Sequence, residues 1–377
     1  MRRLLSAALL PVAGGLIAAS ALGPEWARPA AAVAGTALLG TAALLLRLRP
    51  EIGVSVVATV WAVSGLGLGL WNVSDTFRYR VRTAVEGPKA VGIWRTDDRY
   101  GYVNVPGATG QHAVPESFDV SYSIDARGCR ATPTPGTVRK RVLFLGGSIT
   151  FGHGVEDDQS YAAVLAHRYW PDVKVSNCSV GGWGTAQAYL KLEDELALGP
   201  PPDVVLYGWT ADHVRRNYIK RRWVAQMAAY GRRHPWFDLV DGKLVYHGTI
   251  GLDGSVPANP ATNRKSVQIT IRLITGMHDM ARAAGSRFAL VRMGSSRFGR
   301  ADTPELGFER KILETVRRHR VVIFDAREAR GVALPFDHHP DAGWHAEVAA
   351  LLAARPALHD LSREAGPNEP ARDTKRR

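Results

Sequence analysis

The chain has 377 residues, 46% of them hydrophobic, enough for one sizeable domain core with an accessory region beside it. Its formal net charge is +13, but the 48 Lys and Arg residues are scattered rather than clustered among aromatics. That pattern excludes a nucleic-acid stripe and leaves a preference for anionic surfaces such as lipid headgroups or acidic glycans, while two cysteines with no CxxC exclude a zinc framework and a disulfide-dense scaffold.

The first elements in chain order are three uncharged apolar runs, residues 4–22, 30–46 and 52–71. Each is about 17 to 20 residues long, the length that crosses a bilayer core. A buried helix of a soluble domain would need a polar face, so residues 1–72 are expected to be a membrane anchor of three transmembrane helices. Arg2 and Arg3 before the first run, and Arg47 and Arg49 between the second and third, place the amino terminus inside and the rest of the chain outside. Arg78, Arg80 and Arg82 pull the other way. A cleaved signal peptide is the competing reading of the first run, but no small-residue cleavage site leads into a soluble start before the second.

Residues 73–137, with several Gly and Pro, read as a linker and lead-in. From 138 to 360 short β-rich runs alternate with amphipathic stretches, which predicts an α/β fold. It would be a three-layer α/β/α sandwich around a mostly parallel five-stranded sheet. The strands are expected at 141–145, 173–177, 203–207, 287–292 and 320–324, and helical spacing falls at 160–170, 185–197, 270–284 and 304–319. Residues 223–262 interrupt the rhythm as an insertion near the active-site end, with Asp241-Gly242 as a hairpin turn. Residues 361–377 have too few apolar groups to pack and are expected to be disordered.

The first strand runs into Gly146-Gly147-Ser148-Ile149-Thr150, which sets a serine hydroxyl at the carboxyl edge of the sheet. A serine needs a neighbouring base to become a nucleophile. The final loop, FDHHPDAGWH, offers Asp337 and His339 at that same end. Taken singly, the turn also fits a serine that caps a helix, and Asp337 with His338, His339 and His345 also fits a metal site.

Taken together, these segments resemble the SGNH (GDSL-like) hydrolases over about residues 121–355. Their usual Gly-Asp-Ser is Gly146-Gly147-Ser148 here, and SNCSVGGWGTAQ resembles their second block, with Asn177, Ser179 at the middle glycine, and Gly182. The resemblance implies an oxyanion hole from the backbone N–H groups of Ser148 and Gly182. The family's third-block Asn is replaced by Thr210, whose hydroxyl has a shorter reach. Beyond it lie Asp212, His213, Arg215, Arg216 and Asn217, and Asn177, Asp212 and Arg215 are the substrate-binding candidates. Asp337-His338-His339 departs from the common Asp-x-x-His but matches the Asp-x-His of envelope enzymes that act on polysaccharide acyl groups, which implies His339 as the base, with His338 and His345 in reserve. YSIDARGCRATP resembles a lead-in of bacterial members. It carries Cys129, which with Cys178 makes either a disulfide or two small buried hydrophobes.

The expected activity is therefore a serine esterase acting on an acyl ester of an envelope glycan or lipid, with no metal and no organic cofactor. Membrane lipid is the expected partner of the anchor, and nucleic acid is not a partner. An O-acyltransferase using the same triad is the first alternative. The second is a catalytically silent envelope scaffold or ligand-binding module, motivated by the missing Asp and Asn.

Overall fold

The computed structural model describes residues 89–90, 92–217, 232–250, 263–294 and 307–358. The three apolar runs, the 361–377 tail and parts of the 223–262 insertion lie outside the described residues. Among the described residues no helix is long and apolar enough to cross a membrane.

The passage read as linker is built of strands. β1 (Lys89–Ala90), β4 (Thr109–Val114) and β5 (Phe118–Ser123) form one small sheet, and β2 (Trp94–Asp97) pairs with β3 (Gly101–Asn104) in another. Alternation along β5 buries Val120 and Tyr122, which pack with Ile93 and Ile124 against Phe151, just past the serine turn. This corrects the linker reading: the segment buries its aromatics against the α/β domain. Its loop-like composition comes from tight turns between very short strands.

The main sheet follows the predicted alternation. β6 (Lys140–Gly146), β7 (Val173–Asn177), β8 (Val204–Trp209), β11 (Arg287–Arg292) and β12 (Val322–Asp325) pair in parallel in the order β12-β11-β8-β6-β7. Side chains alternate between two cores, as the pleat requires. Val142, Phe144, Leu206 and Val291 face α2 (Tyr161–Val164) and α7 (Ala342–Ala353), where Trp344 and Val348 pack. Leu143, Leu145, Val205 and Leu290 face α3 (Thr185–Ala197), α5 (Asn263–Ala283) and α6 (Gly307–Arg318). The result is the expected three-layer sandwich.

Several boundaries differ from the sequence reading by a few residues, and two of the differences have a clear physical cause. The last strand starts at Val322, because Arg320 takes the left-handed conformation (φ 65°) that ends the preceding helix. α5 begins at Asn263 rather than Thr270: β-branched Val267 and Ile269 are poor helix formers, but both are buried, and packing overrides propensity. Ile269 and Leu273, one turn apart on α5, hold Phe237 of β9 (His234–Val240), which pairs antiparallel with β10 (Lys243–Ile250). Asp241 and Gly242, both at positive φ (50° and 74°), make the predicted turn.

Candidate active site

Ser148 opens α1 (Ser148–Phe151), where β6, an interior strand between β8 and β7, ends. Parallel strands place such a turn at their carboxyl edge, where other loops converge. The turn is clamped from behind. Buried Arg130 donates to the carbonyls of Phe151 (2.6 Å), Gly152 (2.5 Å) and Val155 (2.6 Å) and pairs with Asp157 at 3.0 Å. Its neighbour Cys129 is disulfide-bonded to Cys178, which follows β7. The same loop is tied to the serine turn by Val180 N–H, which donates to the Gly146 carbonyl at 3.3 Å.

The loop after β12 supplies the other two groups. Phe336 and His338 both have positive φ (59° and 68°), a costly conformation for non-glycine residues, and the loop is pinned by His338 N–H on the Leu334 carbonyl and Leu334 N–H on the His339 carbonyl. These bends turn His339 toward the serine. Its Nε2 lies 2.8 Å from Ser148 Oγ, and its Nδ1 donates to Asp337 Oδ1 at 2.5 Å. Burial works to raise the Asp337 carboxyl, but hydrogen bonds from His153 and His339 outweigh it and hold the group well below the usual carboxylate range. Asp337 is therefore an anion at neutral pH and stabilises positive charge on His339.

The sequence reading missed His153. Its Nε2 donates to the second oxygen of Asp337 at 3.3 Å, and its ring lies 4.2 Å from that of His339. Burial first, then the proximity of His339, pushes its pKa down to about 4, so it is a neutral donor. The signal available was FGHGV directly after the serine turn.

Ser148 opens into a small cavity lined by Gly147, Thr210, His213, Arg216 and Met293 among others. Thr210 lines that cavity beside Ser148. Gly182 carries a positive φ of 85°, and a Cβ there would lie 2.6 Å from Tyr102 Oη, so glycine is required. Among the described residues neither Ser148 N–H nor Gly182 N–H is spent on another hydrogen bond. Gly147, where the family usually has Asp, is equally constrained: a Cβ would meet the Trp183 carbonyl at 2.7 Å and Arg216 Nη1 and His213 Nε2 at 3.0 Å each. Two basic side chains occupy the space that an aspartate would fill.

The substrate-binding candidates fare differently. Asn177 is fully buried and donates from Nδ2 to the Thr150 carbonyl at 2.9 Å, so it braces α1 and does not face substrate. Arg215 is exposed on α4 (Asp212–Arg216), and it is Arg216 that lines the cavity; Asp212 is half-buried at the start of that helix. The metal set read from sequence is not brought together, because His338 is exposed and His345 is buried against Tyr161, accepting its N–H at 3.3 Å. His153, Asp337 and His339 do offer ligand atoms within 4.8 Å of one another. Nδ1 on a carboxylate and Nε2 on a serine hydroxyl is nevertheless the geometry of proton transfer.

No family model matches the chain, and no curated protein matches it. Similar solved structures include one described as a lipolytic protein of the G-D-S-L family from Desulfitobacterium hafniense, at 13% identity, covering 57% of this chain and 98% of that one, with a TM-score of 0.36. A carbohydrate esterase family 2 enzyme with a carbohydrate-binding domain from Corynascus has 14% identity, covers 62% and 69%, and has a TM-score of 0.38. An acetyl-xylooligosaccharide esterase from Geobacillus, crystallised as a mutant, has 14% identity, covers 63% and 100%, and has a TM-score of 0.36.

Proposed function

We propose that this chain is a serine esterase of the SGNH kind that removes an acyl group through Ser148, His339 and Asp337. The observation that carries the reading is the unbroken chain of contacts from Ser148 Oγ to His339 Nε2 (2.8 Å) and from His339 Nδ1 to Asp337 (2.5 Å). His339 Nε2 takes the serine proton as Oγ attacks the ester carbonyl, and the carbonyl electron pair moves onto its oxygen. The unspent N–H groups of Ser148 and Gly182, with the Thr210 hydroxyl, are the donors for that oxyanion; one such donor is worth about 3 to 4 kcal/mol in the transition state. The tetrahedral adduct collapses, the leaving alkoxide takes the proton from His339, and water repeats the sequence to release the acid.

The acyl ester is assigned to an envelope glycan or lipid. Three apolar runs within residues 1–72 support a membrane anchor, and the excess of Lys and Arg supports an anionic surroundings. The Cys129–Cys178 bond supports a catalytic domain outside the cytoplasm, where disulfides persist. A silent scaffold is disfavoured by two non-glycine residues held at positive φ on either side of Asp337, in the loop that brings His339 to Ser148. The test is labelling of the full-length chain, in detergent, with a fluorophosphonate. Wild type is expected to label, and Ser148→Ala and His339→Ala are expected not to. A folded wild-type chain that takes up no label would end the esterase reading.

A further inference from the structure

Resting on the esterase reading, we infer that His213 is a further catalytic residue, a neutral imidazole whose Nε2–H donates to the oxyanion. In sequence His213 belongs to the polar group beyond Thr210, which fits either a substrate-facing cluster or a solvated helix start. It is 2% exposed, on α4, and lines the Ser148 cavity together with Thr210. Its Nε2 lies 3.0 Å from the position a Gly147 Cβ would occupy, beside the peptide that carries the Ser148 N–H. A donor at that point reaches the same cavity as the serine hydroxyl.

The protonation of the ring follows from its surroundings. Burial first, and the Arg216 guanidinium second, hold His213 well below the ordinary histidine range, so the ring has one N–H and one lone pair. Which nitrogen bears the proton is decided at the other end. Nδ1 lies 2.8 Å from Tyr207 Oη, and Tyr207 Oη lies 3.0 Å from Thr185 Oγ1. Thr185 is fully buried and its hydroxyl makes no other hydrogen bond among the described residues. Either hydroxyl of the Tyr207–Thr185 pair can donate; if His213 donated from Nδ1, Tyr207 would donate to Thr185 and the buried Thr185 proton would have no acceptor among the described residues. The reverse order leaves no proton stranded: Thr185 donates to Tyr207, Tyr207 donates to Nδ1, and the ring proton sits on Nε2, facing the cavity. Neutral imidazole is a competent electrophile of this kind, and the adjacent Arg216 charge adds positive potential where negative charge develops.

The test compares the full-length chain in detergent, hydrolysing p-nitrophenyl acetate, with its Ser148→Ala, His213→Phe, His213→Gln and Tyr207→Phe variants. Activity that vanishes in Ser148→Ala establishes the underlying reading. His213→Phe is then expected to lower kcat by about 10²-fold with KM little changed, and to weaken binding of a phenylboronic acid, a tetrahedral mimic, in parallel. His213→Gln, which keeps an N–H donor, is expected to recover part of both. A buried histidine with a purely structural role would not move kcat and boronate affinity together. Should both His213 variants fail to fold, Tyr207→Phe carries the test: without its donor to Nδ1 the ring proton is no longer fixed, and kcat is expected to fall about tenfold, as for one lost hydrogen bond. A kcat within threefold of wild type in folded His213→Phe, or in Tyr207→Phe where only that variant folds, overturns the inference while leaving the esterase reading intact. A wild-type chain with no Ser148-dependent hydrolysis overturns both.

Discussion

His153 and His339 each hold a different oxygen of one carboxylate: one reaches Oδ2 of Asp337 at 3.3 Å, the other Oδ1 at 2.5 Å, with their rings 4.2 Å apart. Asp337 is thereby fixed in rotation, and with it the direction of His339 Nε2 toward Ser148. His153 is a positioning residue, itself wedged edge-on by His112 and Phe118. His153→Phe keeps the ring packing and deletes the donor. Because a hydrogen bond to a charged group is worth about 1.5 to 3 kcal/mol, kcat is expected to fall roughly 10- to 100-fold with KM unchanged. His153→Gln, which can still donate, is expected to stand between the two. Equal activity in all three chains would show that Asp337 needs no second anchor.

Gly147 presents the reverse case, a position where restoring the family's usual residue is expected to do harm. The Cβ of Gly147→Asp would sit 2.7 Å from the Trp183 carbonyl and 3.0 Å from both Arg216 Nη1 and His213 Nε2. Contacts under 3.0 Å with backbone force a shift, and the nearest backbone to move is that of the serine turn. A drop in kcat/KM of at least tenfold is expected from a misplacement on the order of 1 Å. A gain in activity would mean that the new carboxylate pairs with Arg216 and that the turn tolerates the strain.

The sheet was legible because its strands alternate two apolar faces and carry buried runs such as RVLFL and RFALVR, a pattern that survives without tertiary information. Ser148, Asp337 and His339 were legible for a related reason: a serine turn after the first strand and an Asp-x-His loop after the last must meet at one sheet edge. Arg215 and Arg216 mark where this reasoning stops. Successive helix residues differ by about 100° in direction, so the choice between them depends on where α4 begins, and one sequence fixes that only to within a few residues. Asn177 was misassigned because a polar residue at a strand end serves equally to brace a neighbouring turn, and only the Thr150 carbonyl at 2.9 Å distinguishes the two uses. His153 went unseen because its partner lies 184 residues away.

The staple behind the serine is a stability device with a measurable size. Arg130 satisfies three carbonyls of the turn after α1, and its backbone N–H donates to the Asn177 carbonyl at 2.8 Å, beside the Cys129–Cys178 bond. Arg130→Met leaves those buried acceptors and Asp157 without their partner, an expected loss of about 3 to 5 kcal/mol. Cys129→Ser with Cys178→Ser opens a loop of sequence separation 49, for which chain entropy gives about 4 kcal/mol. Both appear as lower midpoints in urea titrations of the full-length chain. Because the two devices hold the same loop, the combined variant is expected to lose less than the sum of the separate losses. Strict additivity would show that they act independently.

Acid should unfold this domain well before its carboxylates titrate. Burial pushes His112 down to about 3, His234 to about 4 and His345 to about 3, from an ordinary value of 6.5. Each ring is neutral in the folded chain and free to take up a proton in the unfolded one. Folded pKa values below the unfolded value mean that the stability is fully present above pH 6.5 and is lost as pH falls from there toward 4, at about 1.4 kcal/mol per pH unit for each ring. His153 and His213 are held low in the same way, and the five rings together make the chain about 7 kcal/mol less stable at pH 5.5 than at pH 7.5. Urea midpoints at the two pH values measure this directly. His345→Gln should remove about one fifth of the difference, since an amide oxygen can accept the Tyr161 N–H and does not titrate in this range. Midpoints that do not change between pH 7.5 and 5.5 would mean that these rings are already hydrated in the native state. Burial would then not be what keeps them neutral, and the same doubt would extend to neutral His213 as the fourth oxyanion donor.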